Sequence, residues 1–336
     1  MTFLKNLTMD IRHLILLAIV PLIAACSTSD AGDTTPTTIT MPVQLAIPVS
    51  NGSLTRTPGD PGTTEQFVLP KYLYIYLINT PINGSETKPR TPEGMDPQNG
   101  YTLKADKWTK TTTQDNNNDS IYIYTDQIRI IIPENRSTGV VYAAMSTVPI
   151  TVTYTGNDVA DATFTLGTEA KDNESEALKN LYSSPYNLMK DKQYYGTVSD
   201  YNSNSPYINM VLYHVASKLD VQWNVDASVQ DKVKLSKIAL TGLSGGGKLF
   251  KPLENTAPSS PYDETFTPNE GSQWYGRKAT YVIPVKTDGE YKFPMSLTNS
   301  VSGKEITTNK ATAKPSTTSD VFVPWIYGTV TVKTQW

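Results

Sequence analysis

The sequence contains little of the material from which catalytic and metal sites are usually built. Its 336 residues include one cysteine, Cys26, and two histidines, His13 and His214. A single cysteine excludes a disulfide within one copy of the chain. No Cys-x-x-Cys or His-Glu-x-x-His pattern occurs, so the sequence motifs with strong zinc-binding spacing are absent. The sequence therefore predicts no enzyme activity, no cofactor and no metal site.

Charged residues are also scarce. They make up 18% of the chain, and 29 basic against 32 acidic side chains give a net charge of −3. A nucleic-acid-binding protein needs a basic surface, and this balance offers no electrostatic case for one. The 20 tyrosines, with many Thr, Ser and Asn residues, supply polarity instead. That mixture favours strands and turns over helices.

The N-terminal apolar run, residues 14–20, is too short to span a bilayer as a helix. It follows Lys5 and Arg12 and ends at Ile23-Ala-Ala-Cys26, an order that predicts a secretory signal over residues 1–25. Ile-Ala-Ala-Cys resembles a bacterial lipobox, in which the cysteine is acylated and becomes the first residue of a lipoprotein of the Gram-negative envelope. The alternative is an ordinary signal with an incidental thiol. The small, polar residues 26–40 predict a flexible tether.

The stretch after the tether alternates between two faces. Val43, Leu45, Ile47 and Val49 fall on one side at period two, which predicts a half-buried strand over residues 41–49. Pro42 and Pro48 lie on the opposite side. Because proline cannot donate a ladder hydrogen bond, this pattern indicates an edge strand.

A Gly/Pro/Ser/Thr-rich segment with one basic residue, Arg56, comes next. Such a loop is open to proteases. We therefore expect residues 41–56 to form a removable first strand, released by cleavage near Arg56.

The remaining chain reads as many short strands separated by turn signals, which is typical of β-sandwiches. The clearest strand is 71–79, with alternating Tyr and aliphatic residues, and one short helix is expected over 175–182. A Ser/Asn/Tyr-rich stretch before Pro206 marks the predicted boundary between an N-terminal domain, 41–204, and a C-terminal domain, 205–336.

Four candidates for chemistry occur in three segments, and none of them is complete. Residues 242–248 match the first seven positions of a P-loop, but the magnesium-binding hydroxyl expected at the eighth position is absent. The same glycines flank Ser244 as in a nucleophile elbow. Neither motif is followed by the helix that it requires. We expect a flexible turn there. His214 lies in an apolar strand run, where a packed histidine is the favoured interpretation. Residues 115–126 have partial calcium-loop spacing but lack the required glycine.

Five tryptophans are spread along the chain, and their dispersal favours core anchors over a sugar-binding platform. A surface glycan-binding lipoprotein is kept as the alternative from a different functional class.

Taken together, these features resemble the fimbrillins of Bacteroidales, the type V pilins. The segment 213–221, Tyr-His-Val-Ala-Ser-Lys-Leu-Asp-Val, is similar to the stretch that opens the second domain in that family, with His214 at a position usually occupied by Arg. Tyr327-Gly-Thr-Val-Thr-Val-Lys333 resembles the family's final strand.

The resemblance implies an all-β fold of two tandem transthyretin-like β-sandwich domains with few short helices. It also implies a pilus subunit that reaches the outer membrane as a lipoprotein and has a role in adhesion. The resemblance further implies that an Arg-specific surface protease removes the first strand by cutting after Arg56, which leaves Thr57 as the new N-terminus. Other fimbrillin subunits would be the partners.

The C-terminal residues 327–336 carry a second alternating pattern, formed by Val330, Val332, Thr334 and Trp336. Such a segment can fill a vacated groove in another chain by adding a strand. It can equally be the last strand of its own domain. An anchor or tip subunit that keeps its first strand is the alternative within the family.

Overall fold

The computed structural model describes residues 37–49, 67–79, 89–112, 120–132, 139–184, 196–197, 208–231, 233–268, 274–288, 290–291, 293–301, 304–313 and 328–334. In these residues the chain consists mostly of strands in several sheets, with one short α-helix. The predicted all-β class is confirmed at this level. Among the described residues, no helix is both long and apolar enough to cross a membrane.

The first half contains the strands that surround β1 and the helix α1. Its elements are β1 (Thr37–Val49), β2 (Tyr72–Asn79), β3 (Tyr101–Thr102), β4 (Trp108–Thr112), β5 (Ser120–Ile132), β6 (Gly139–Ser146), β7 (Ile150–Thr153), β8 (Thr163–Leu166), α1 (Glu174–Lys179), β9 (Leu181–Ser183) and β10 (Gly196–Thr197). The predicted helix 175–182 is thus too long at its C-terminal end, where the chain passes directly into β9.

The second half contains longer strands. They are β11 (Ile208–Val211), β12 (Tyr213–His214), β13 (Ser217–Val225), β14 (Val233–Lys248), β15 (Ser259–Phe266), β16 (Tyr275–Val282), β17 (Lys286–Thr287), β18 (Glu290–Tyr291), β19 (Phe293–Val301), β20 (Lys304–Ala313) and β21 (Gly328–Thr334).

The described strands form five sheets. One has the order β11-β1-β5-β4, and a second has the order β12-β9-β6-β2-β3, with β10 also on β6. A third has the order β16-β13-β21, and a fourth has the order β20-β19-β14-β8-β7, with β15 also on β14. The fifth is the pair β17-β18.

The long strand β14 connects two hydrophobic clusters. Its N-terminal part contributes Leu235, Ile238 and Leu240 to a smaller cluster with residues of β13 and β19. Just beyond its end, Leu249 and Phe250 belong to the larger cluster, which also contains β1 and β2. The segment made of β14 and the two residues after it therefore packs into both hydrophobic clusters.

The predicted flexible turn at Gly242–Lys248 is wrong, because these residues lie inside β14. There the strand passes between β8 and β15. A Cβ atom added at Gly246 would collide with the carbonyl oxygen of Phe164, and one at Gly245 would collide with that of Ser260. The glycines thus allow three backbones to approach closely, which is a recognised role of glycine within strands.

Both faces of β2 are packed. Leu73, Ile75 and Leu77 are buried on one face, and Tyr74 and Tyr76 are completely buried on the other. Each buried tyrosine hydroxyl has a partner: that of Tyr74 donates to the carbonyl oxygen of Ile150 at 2.9 Å, and that of Tyr76 to Pro97 at 2.7 Å. The tyrosine face of β2 is therefore a second packed face.

The division into domains at residues 204/205 stays a prediction. The strands that follow this position at once, β11 and β12, pair with β1 and β9 of the first half. The strand β1 begins at Thr37 and includes residues 37–40, which the sequence assigned to the tether.

The candidate functional site: a slot that holds strand β1

The strand β1 lies between two other strands. It pairs antiparallel with β5 along its whole length, from Thr37 opposite Ile132 to Val49 opposite Ser120. On its other side, residues 43–46 pair in parallel with β11. We call the space between β5 and β11 that β1 occupies the slot.

The prediction that β1 is an edge strand is therefore wrong for residues 43–46. The prolines explain how β1 can still be internal. The carbonyl oxygen of Ala46 accepts a hydrogen bond from the Leu212 N–H at 2.8 Å, so even-numbered residues direct their backbone groups toward β11. Pro42 and Pro48 have the same parity, and both lie just outside the segment that β11 pairs. The four residues that β11 pairs therefore include neither proline, so this pairing does not require the missing N–H groups.

The inner face of β1 is part of the main core. Val43, Leu45 and Ile47 have no exposed surface, and neither does Met41, which extends the same alternation. All four join the larger hydrophobic cluster, and the half-buried Val49 packs against it. Burying four such side chains stabilises the occupied slot by roughly 6 to 12 kcal/mol as an upper bound.

The outer face of β1 differs along its length. Ala46 is completely buried and forms a small separate cluster with Ile121 and Ile123, against which Val211 packs. Two residues earlier, Gln44 is half-buried and lies between Thr125 of β5 and Asn209 of β11. The sequence did not reveal the burial of Ala46, because alanine is common on both exposed and buried strand faces.

The proposed cleavage and lipidation positions, Cys26, Arg56 and Thr57, lie outside the described residues. The described part of β1 ends at Val49 and the chain is described again from Phe67. The ring of Phe67 stacks on Tyr122 with centroids 4.0 Å apart, and Tyr122 is the β5 partner of Ile47. The described chain thus resumes at Phe67 beside the same wall of the slot.

The C-terminal strand β21 is placed within its own chain. It lies at one end of a three-stranded sheet and pairs in parallel with β13, with Val330 opposite Val221, Val332 opposite Trp223 and Thr334 opposite Val225. Trp336 lies outside the described residues. Of the two roles that the sequence left open, this arrangement corresponds to a last strand of the same chain.

His214 is held by a backbone hydrogen bond and by packing against an aromatic ring. Its Nδ1 lies 2.9 Å from the carbonyl oxygen of Lys179, which assigns the proton to Nδ1. The ring also packs against Tyr182, with centroids 4.6 Å apart. Burial lowers the pKa of His214 to about 3, so the imidazole is neutral at ordinary pH.

The residues of the P-loop-like motif are engaged with the protein itself. The hydroxyl of Ser244 is buried, donates to the carbonyl oxygen of Gly246 at 2.7 Å and accepts from the Ser259 N–H at 2.8 Å. The ammonium of Lys248 lies 2.7 Å from a carboxylate oxygen of Asp161. Hydrogen bonds from Lys248 and Lys251 lower the pKa of Asp161 to about 2. This arrangement neither exposes a nucleophile nor cradles a phosphate.

The described tryptophans are packed rather than presented on one face. Trp223 is buried, Trp108 packs against Tyr124 with centroids 5.4 Å apart, and the indole N–H of Trp274 donates to the carbonyl oxygen of Gln230 at 2.9 Å. Trp325 and Trp336 lie outside the described residues. Within the described part, no three His, Cys, Asp or Glu residues are grouped so that they could hold a metal ion.

Comparison with known proteins returned structural relatives. No protein-family model matches the chain, and no curated protein matches its sequence. The structure is similar to a fimbrial assembly protein from Parabacteroides distasonis, with 11% identity and a TM-score of 0.38, covering 81% of this chain and 87% of that one. It is also similar to a "putative adhesin" from Bacteroides ovatus, with 12% identity, a TM-score of 0.39 and coverage of 86% and 88%.

Proposed function

We propose that this chain is the structural subunit of a cell-surface pilus, made as a lipoprotein precursor and polymerised by strand exchange. In this proposal Cys26 carries the acyl chains that hold the precursor on the outer membrane, and cleavage after Arg56 by an Arg-specific surface protease releases β1. The fold expected with this function is two tandem transthyretin-like β-sandwich domains, and a role in adhesion goes with it.

The observation that carries the proposal is the position of β1. A strand with five completely buried side chains, four of them on its inner face, and with hydrogen-bonding partners on both sides leads into the segment that contains Arg56. Loss of β1 would leave an apolar trench and two rows of unpaired backbone groups, which is the condition that favours strand addition from another chain.

Strand addition from a neighbour makes a filament, because a head-to-tail contact of this kind does not close on itself. The alternating C-terminal segment, with Val330, Val332, Thr334 and Trp336, is the donor in this proposal. To act as a donor, β21 must leave β13 and enter the slot of the next subunit.

The test is assembly of the Arg56→Ala variant on cells that make the protein. We expect the precursor to accumulate with β1 in place and polymers to be lost. Arg136→Ala is the matched control, since Arg136 lies in another segment outside the described residues and should leave assembly unchanged. Normal polymers from Arg56→Ala would overturn the proposed trigger.

An anchor or tip subunit that retains β1 is the second candidate, and the extensive pairing of β1 with β5 and β11 favours it specifically. N-terminal sequencing of surface-assembled protein separates the two. Thr57 at the N-terminus indicates a processed polymerising subunit, whereas an acylated Cys26 indicates an anchor that keeps its first strand.

A further inference from the structure

We infer that the slot selects its occupant by residue size at one position on its outer face, the position that Ala46 fills. This inference rests on the proposed function, because it concerns which strand can replace β1. We call this position the outer pocket, defined by Ile123 of β5 and Val211 of β11 on either side of Ala46.

The outer pocket is closed to solvent. Ala46 has no exposed surface, and its neighbours Ile121 and Ile123 are 1% and 5% exposed. The three residues form a cluster separate from the main core, with Val211 packed against it. A side chain longer than that of alanine has no open space to enter, so it would have to displace these apolar neighbours.

The neighbouring outward position is different. Gln44 is half-buried, and its two strand partners, Thr125 and Asn209, are polar and also half-buried. A long side chain fits at this position, as Gln44 itself demonstrates. The outer face of the slot therefore discriminates at position 46 and tolerates bulk at position 44.

The two faces together define what an incoming strand must carry. Its inner face needs large apolar residues at alternate positions, to replace Met41, Val43, Leu45 and Ile47. At the position of Ala46, between those of Leu45 and Ile47, the incoming strand needs one small residue on its outer face. Alternation alone would not distinguish one register from another, whereas the outer pocket restricts the register because a slip by two residues brings a different side chain into it.

Applied to the C-terminal segment of a second copy, this rule selects a register. The outward residues there are Thr329, Thr331, Lys333 and Gln335. With Val330 and Val332 in the places of Leu45 and Ile47, in either strand direction, Thr331 meets the outer pocket. Threonine is larger than alanine and must displace the apolar neighbours, but by less than Lys333 or Gln335 would. Registers that put Lys333 or Gln335 there are excluded by their length and, for Lys333, by the cost of burying a charge.

The experiment uses the full chain cut after Arg56, with the cut verified by mass spectrometry, so that β1 remains in the slot as a separate peptide. Fluorescent synthetic peptides of residues 37–49 are added in excess, and their uptake is measured against time and concentration. The set contains the natural peptide, the Ala46→Leu peptide and the Gln44→Leu peptide as the matched control. The protein itself is unchanged, so no result depends on whether a variant chain folds.

We expect the natural and Gln44→Leu peptides to bind the slot with affinities within about threefold of each other. The Ala46→Leu peptide should bind at least about tenfold more weakly than the natural peptide, because a leucine overpacks the closed site. A peptide of residues 326–336 should compete, and its Thr331→Lys variant should not. Equal uptake of the Ala46→Leu and natural peptides would overturn the size selection while leaving strand exchange intact. Failure of every peptide, including the natural one, would instead contradict the proposed release of β1 and the selection with it.

Discussion

The replacement of Leu45 by alanine tests whether β1 is held as a separable strand. Leu45 has no exposed surface and lies between Tyr124 of β5 and Met210 of β11. Removing a completely buried leucine side chain to Cβ costs about 2 to 5 kcal/mol, including the cavity left behind. At about 1.4 kcal/mol per factor of ten, a loss of about 3 kcal/mol raises the opening constant of β1 more than a hundredfold.

The assay is hydrogen–deuterium exchange on the uncleaved chain, followed by mass spectrometry of the fragments that contain β1, β11 and β13. In the described residues β11 pairs with β1 and with no other strand. We therefore expect Leu45→Ala to accelerate exchange in β1 and β11 together, whereas β13, which pairs with β16 and β21, keeps its protection.

Thr40→Ala is the matched control on the same strand, because Thr40 is exposed and its loss should change the exchange rates little. Two results would refute the reasoning. One is equal exchange in β1 for the two variants, which would mean that the inner face does not hold the strand. The other is equal acceleration in β1 and β13, which would mean that β1 opens only when the whole chain unfolds.

Two further predictions concern the side chains of Tyr74 and His214. Tyr74→Phe removes a buried hydroxyl that donates to the carbonyl oxygen of Ile150 and accepts from its N–H, both at 2.9 Å, so we expect the free energy of unfolding in urea to fall by about 1 to 3 kcal/mol. The control Tyr275→Phe, at a side chain 67% exposed, should change that free energy negligibly. Equal effects of the two variants would contradict the role assigned to the Tyr74 hydroxyl. Burial lowers the pKa of His214 in the folded chain to about 3, whereas a histidine in an unfolded chain has a pKa near 6.5. Between these two pH values the unfolded chain binds more protons than the folded chain. The free energy of unfolding should therefore fall as the pH decreases from about 6.5 toward 3. His214→Gln should make that fall shallower, and an unchanged slope of unfolding free energy against pH would show that His214 does not cause it.

Several features of the fold follow from local patterns in the sequence. The strand class follows from short stretches of period-two alternation bounded by Gly, Pro, Asn and Ser. The inner face of β1 is an example, because Val43, Leu45 and Ile47 alternate and the structure buries all three. The two prolines predicted an edge strand, and that prediction is wrong for residues 43–46, which β11 pairs.

The tertiary structure alone decided what lies beside each strand. The strand β11 reaches β1 from more than 150 residues away and makes it internal, and no local pattern in residues 37–49 encodes that pairing. The burial of Ala46, the packed tyrosine face of β2 and the position of Gly245 and Gly246 within β14 have the same origin. Sequence alternation records which side chains share a face, since that follows from strand geometry. Whether a face is covered, and by which strand, depends on contacts between distant residues, and these decide which positions of the slot can select a partner.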